Sequence, residues 1–99
     1  PGMVLATPGV VKCRSTSAAD LFIFDSVSSD MRKQLFKGEA DCHIRKKEYG
    51  AKLEFASPIN ESQSQHKIQI HLSSPAVMEK GTLCLLSLQG QLLALAAIR

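Results

Sequence analysis

The chain has 99 residues, 44% of them hydrophobic and 21% charged, and its twelve Lys or Arg against nine Asp or Glu give a formal charge of +3. That length fits a single domain, residues 1–99, with one modest core, and the composition excludes an intrinsically disordered chain. A surplus of three charges does not establish a polyanion partner, and aromatics at 5% leave the core to Leu, Ile, Val and Ala.

The leading Pro1-Gly2-Met3 reads as a cloning remnant ahead of a native start at Met3. Lys12 and Arg14 follow the short apolar start instead of preceding an apolar core, so no signal peptide is expected. Asp20 to Asp25, "DLFIFD", is short, aromatic and bounded by acids, the pattern of a strand. The next segment predicts a helix of about two turns. Ser29 is its N-cap, Asp30 lies in the first turn, Met31 and Leu35 share one face with Phe36 beside them, and Gly38 ends it. So short a helix is stable only when packed on a sheet.

Cys42 and Ile44 alternate with His43 and Arg45, and Ala51, Leu53 and Phe55 alternate with Lys52 and Glu54. Two amphipathic strands reversing at Tyr49-Gly50 are therefore expected, with one wet face. Ser57 to Gln65 has no apolar period and reads as a loop. Ile68, Ile70 and Leu72 then point inward against Lys67, Gln69 and His71, and "SSPAVMEKG" turns the chain. At the C-terminal end, "TLCLLSL" and "QLLALAAI" flank Gln89-Gly90 and predict a hairpin. The rival reading makes residues 91–99 a closing helix, because Leu and Ala favour helices. Neither flank carries a charge, so Leu83, Leu85, Leu86, Leu88, Leu93 and Leu95 are expected to be buried, or one face is a subunit interface. The fold class is mainly β: a small antiparallel β-barrel or α+β domain with six or seven short strands and one short helix.

Chemistry-bearing motifs are sparse. Cys13, Cys42 and Cys84 are odd in number and far apart, which fits free buried thiols in a reducing compartment. Cys42 and His43 are adjacent on a strand and point opposite ways, as do His66 and His71, and no C-x-x-C or H-x-x-x-H pair exists, so buried thiols and surface imidazoles are expected and no metal. Serines 15, 17, 26, 28, 29 and 57 stand in turn-like contexts, no G-x-S-x-G elbow or phosphate-cradling glycine loop is present, and paired carboxylates in an apolar setting are missing. "STSAADLFIFD" resembles the first motif of dUTPases, but that family's later motifs are absent. Asn60-Glu61-Ser62 matches a glycosylation sequon and here marks only an exposed loop. The apolar C-terminal run is broken by Ser87, Gln89, Gly90 and Gln91, a poor membrane span, and the expected location is cytoplasmic.

One signal remains. Between Asp30 and Lys52 lie Arg32, Lys33, Lys37, Arg45, Lys46, Lys47 and Lys52 against four acids, an excess equal to the charge of the whole chain. Should the helix end and the hairpin's wet face adjoin, these residues form a patch able to neutralise a few phosphates. Otherwise they are solvated charges that keep a strand edge from mispairing. Arg45, Lys47 and Lys52 are expected on one face of the hairpin, Lys46 on the other unless the turn redirects it, with Arg32, Lys33 and Lys37 flanking. Tyr49 is the one aromatic beside them, too few for a stacking platform.

The ending "VMEKGTLCLLSLQGQLLALAAIR" is similar to the last hairpin of PUA domains, small RNA-binding pseudo-barrels, with Gly81 opening an apolar strand and Gly90 at the turn. "ATPGVV" (Ala6 to Val11) resembles the same family's "PGVV" turn. Thr82 stands where the family carries an acid, and the middle of the chain departs from the pattern. The resemblance implies RNA binding and carries over no site residue. The expectation is thus a non-enzymatic module without cofactor. It binds RNA or another polyanion through the basic residues, or else it self-associates or meets a protein partner through an apolar face. No membrane or small-molecule partner is indicated.

Overall fold

A computed structural model describes residues 13–56, 59–60 and 62–99. The elements follow as β1 (Cys13–Ile23), α1 (Ser29–Phe36), β2 (Glu39–Ile44), β3 (Lys47–Phe55), β4 (Gln65–Val77), β5 (Leu83–Leu88) and β6 (Gln91–Ile98). All strand pairs are antiparallel, and the order β1-β4-β3-β2-β5-β6 returns from β6 to β1, closing a six-stranded barrel. Closure removes the exposed edges that a small open sheet would have to protect. The fold is the mainly β barrel that the alternation predicted, and residues 91–98 form a strand, not the closing helix.

Alternation explains the core. Ala19, Leu21 and Ile23 of β1, Cys42 and Ile44 of β2, and Ile68, Ile70 and Leu72 of β4 all point inward and are buried. Alanines 40, 51, 94 and 96 share the interior, where a six-stranded bore leaves little room for larger side chains. β1 is far longer than "DLFIFD": its polar first half gives no apolar period to read, yet it ladders against β4. Pro75 falls where the β1–β4 register breaks, between the Arg14–Ala76 and Thr16–His71 pairs, so "SSPAV" continues a strand through an irregularity instead of turning.

One end of the barrel is closed by α1. Ser28, one residue before the expected cap, accepts the Met31 N–H on its hydroxyl at 3.3 Å. Leu35 is wholly buried beneath the helix. Gly38 follows at φ +96°, and its carbonyl accepts the Leu53 N–H at 2.7 Å. Nearby, Phe36, Phe55 and His66 stack edge to face with centroids 5.2–5.6 Å apart. His66 is therefore a buried imidazole, its Nε2 2.9 Å from the Gln63 carbonyl, and not the expected surface one.

Two further expectations are corrected. The β2–β3 reversal is at Arg45-Lys46, because Ile44 pairs with Lys47 and Asp41 with Gly50. Gly50 is instead a strand residue whose N–H donates to the Ser73 hydroxyl. The C-terminal hairpin does turn at Gln89-Gly90, with φ of +52° and +78°, but its strands are not covered on both faces. Leu86 and Leu93 are fully buried, Leu88 and Leu95 partly, while Leu83 and Leu85 are 58% and 38% exposed. A barrel wall has one dry and one wet face, and these strands keep apolar residues on both.

Candidate polyanion-binding end

The end of the barrel opposite α1 is formed by the start of β1, the Arg45-Lys46 turn, the end of β4 and the segment leading into β5. Arg45 occupies the left-handed region at φ +57°, a conformation usually left to glycine, and its guanidinium donates to the Val77 carbonyl at 3.1 Å. From β1, Arg14 donates to the next carbonyl, that of Met78, at 2.7 Å. Two guanidinium groups from different elements are thus fixed on successive carbonyls, each with further N–H groups free to meet an anion.

Arg45, Lys46 and Lys47 line a cleft of about 280 Å³ together with Ile44, Tyr49, Cys13 and Pro75. Lys80 lies on the neighbouring segment between β4 and β5. Among the described residues, ion pairs within 4 Å link His43 to Glu48, His71 to Glu54 and Arg99 to Asp20, and involve none of Arg14, Arg45, Lys46, Lys47 or Lys80.

The structure divides the seven basic residues singled out by sequence. Arg45, Lys46 and Lys47 come together. Lys52, five residues along β3 and so roughly 17 Å away, points outward from the wall opposite Glu39 and beside His71. Lys47 falls on the inward-facing parity of β3, so Lys47 and Lys52 do not share a face. Arg32, Lys33 and Lys37 belong to the helix end: Arg32 reaches the Gln63 carbonyl there. Moving the turn from Tyr49-Gly50 to Arg45-Lys46 produces this split: Lys47 becomes the first residue of β3, opposite the inward Ile44, while Lys52 keeps the outward facing expected of it. Arg14 and Lys80 join the cluster unannounced by sequence, because only the barrel's closure brings them near the turn.

The cysteines are not alike. Cys13 is exposed at the cleft, whereas Cys42 and Cys84 are buried on adjacent strands. A hydrogen bond with Cys84, then burial, then proximity to the Cys84 charge push the Cys42 thiol far above its ordinary range, so it stays protonated and unreactive. Among the described residues no group of three or more His, Cys, Asp or Glu is placed to hold a metal ion, and no helix is long and apolar enough to cross a membrane. No protein-family model matches the sequence, and no curated protein does.

Proposed function

We propose that the protein is a small barrel module that binds a phosphate-bearing polyanion, RNA foremost, at the end built around the Arg45-Lys46 turn. The observation that carries this reading is the convergence of Arg45, Lys46 and Lys47 on one cleft, with Arg14 anchored on the carbonyl next to the one that holds Arg45 and, among the described residues, no acid paired to any of the four. Charge-assisted contacts to phosphate need no base readout, and Tyr49 offers a single surface for stacking. The resemblance of the closing hairpin to PUA domains points the same way; its "ATPGVV" part lies outside the described residues.

Titration of a labelled single-stranded RNA at two salt concentrations tests the proposal. Lys46→Ala with Lys47→Ala should weaken binding and reduce the log–log salt slope by roughly 0.7 for each phosphate no longer neutralised. Unchanged affinity would overturn it.

A second reading has its own observation. Phe22, Leu83, Leu85 and Leu92 are exposed on the outer wall of β1, β5 and β6, and Phe22 and Leu85 both lie opposite Leu95. A second copy of the chain is the occupant such a face would suit. Their combined open area is on the order of 300 Å², within the largest patch of an ordinary monomer and short of the roughly 800 Å² per partner of a stable interface. Area therefore places self-association second. A mass by light scattering that doubles with concentration would reverse the order.

A further inference from the structure

The outer wall carries two hydroxyl–imidazole–carboxylate arrays, and one of them is arranged for chemistry. Ser87 of β5 lies 2.9 Å from Nε2 of His43 on β2, and Nδ1 of the same ring faces Glu48 of β3 at 3.9 Å. The Ser87 side is a cleft of about 380 Å³ lined by Leu85, Leu92 and Gly90 together with Asp41, His43 and Glu48. A β-bulge lies beside it. Leu86 pairs with Ala94 but Ser87 with Leu92, so Leu93 is an extra residue of β6, and Ser87 is 93% buried at the base of the cleft. Sequence reading passed over this serine because it is the lone polar residue in an apolar strand and not in a turn.

The second array supplies a comparison within the same molecule. Thr16 meets Nδ1 of His71 at 3.1 Å, and Glu54 meets Nε2 at 3.2 Å, on exposed wall. There the ring is reversed and the hydroxyl is secondary, and although His71 lines a cleft of about 570 Å³, Thr16 itself lines none of the described clefts. Cross-strand polar ladders of this kind fasten a sheet. The Ser87 array differs in each respect that nucleophilic catalysis requires: a primary hydroxyl on Nε2, an acid on Nδ1, and a cleft at the hydroxyl in which Leu85 and Leu92 offer an apolar wall.

We infer that Ser87 is an acyl-accepting nucleophile, with His43 as its base and Glu48 as a positioning residue, acting on esters with a short apolar acyl group. Ser87 Oγ adds to the ester carbonyl carbon as its proton passes to His43 Nε2. The bond to the alcohol oxygen then breaks, and that oxygen takes the proton from His43. Water, deprotonated by His43, attacks the acyl-serine. Ser87 recovers its proton, and a carboxylic acid is released. The Gly90 N–H, which has no backbone acceptor among the described residues, is the donor offered to the transient oxyanion. The 3.9 Å gap to Glu48 is within what an unliganded site shows before substrate draws it together.

A fluorophosphonate probe and p-nitrophenyl butyrate decide the matter on the full chain. Expected are a covalent adduct mapped by mass spectrometry to Ser87 and ester turnover, both abolished by Ser87→Ala and slowed at least about a hundredfold by His43→Ala. Glu48→Gln should lower kcat about tenfold or more with KM unchanged, which a merely structural role would not produce. Thr16→Ala and His71→Ala should label at the native rate. An unmodified Ser87 in the native chain, or equal labelling of the His43→Ala variant, would overturn the inference, and the first of these requires no variant to fold.

Discussion

Replacing glycines one at a time by alanine separates two costs that the structure assigns to different positions. At Gly90 an alanine meets nothing within 4 Å, so only its φ of +78° is unfavourable. Left-handed backbone costs an L-residue about 1–2 kcal/mol, partly offset by the roughly 0.4–1 kcal/mol that alanine takes from the unfolded chain's entropy, for a net loss of about 1 kcal/mol. At Gly38 the same conformational cost applies at φ +96°, and the new Cβ would also stand 2.9 Å from the backbone oxygen of Leu53. That oxygen belongs to the residue whose N–H is held by Gly38 at 2.7 Å, so neither can retreat without weakening the bond. Adding about 1–2 kcal/mol for the collision and the strained hydrogen bond gives about 2–3 kcal/mol in all. In a domain of this size each kcal/mol moves Tm by about 4–8 °C. At Gly50 the added Cβ finds ordinary contact with Ser73 at 3.7 Å and no positive φ, so alanine there should be neutral or stabilise by up to about 1 kcal/mol. Urea and thermal unfolding of the three variants should therefore rank Gly38→Ala below Gly90→Ala below Gly50→Ala. A Gly38→Ala loss no larger than that of Gly90→Ala would refute the collision argument, and a costly Gly50→Ala would refute a strand there.

Leu86→Ala, at a wholly buried position, should cost about 2–5 kcal/mol in urea unfolding, whereas Leu83→Ala on the outer wall should cost under about 1 kcal/mol. Because the Cys42 thiol is held above its unfolded value of 9.0, its contribution is intact below about pH 9 and is lost as pH rises further, by up to about 1.4 kcal/mol per pH unit. Cys84 is held low chiefly by its hydrogen bond with Cys42, so removing Cys42 alone would leave Cys84 to the burial that raises it. Cys42→Ala with Cys84→Ala should flatten the alkaline slope, measured as unfolding free energy between about pH 8 and 10. Arg45→Gly relieves the left-handed strain but gives up the hydrogen bond to Val77, so stability should move by under about 1 kcal/mol while RNA affinity falls.

The class of fold was legible because hydrophobic alternation with period two survives wherever one face of a strand is dry. Ile68, Ile70 and Leu72 could be assigned inward from spacing alone. The turn of the first hairpin was not legible, for a physical reason. Gly50 advertises a reversal, but Arg45 takes the left-handed position because its own guanidinium is tethered to Val77, a contact 32 residues away in sequence. Leu83 and Leu85 misled in another way: an uncharged strand reads as buried on both faces, yet a barrel wall can leave leucines exposed without marking them in sequence. The basic end was half legible. Arg45, Lys46 and Lys47 adjoin in the chain, but Arg14 and Lys80 reach them only through the barrel's order of strands.

The distribution of charge permits a sharper test of the polyanion reading than alanine does. Arg14, Arg45, Lys46, Lys47 and Lys80 sit with Glu48 and Glu79 at the turn end, a local surplus of three. The other six basic and six acidic residues among those described cancel, so the described residues' net charge of +3 is accounted for by this group. Such an asymmetry steers a polyanion toward that end and makes the association rate depend on ionic strength. Lys46→Glu with Lys47→Glu, and separately Lys33→Glu with Lys37→Glu, change the net charge by the same amount at opposite ends. The helix-end pair should lower stability by about 0.3–1 kcal/mol per residue through the helix dipole, leaving the chain folded. If binding depends on overall charge alone, the two double variants will lose RNA affinity equally. If the cleft at the Arg45 turn is the site, the turn-end pair alone should lose specific affinity and most of its salt-dependent association rate by stopped-flow. Equal losses would refute a localised site even where alanine substitution had weakened binding.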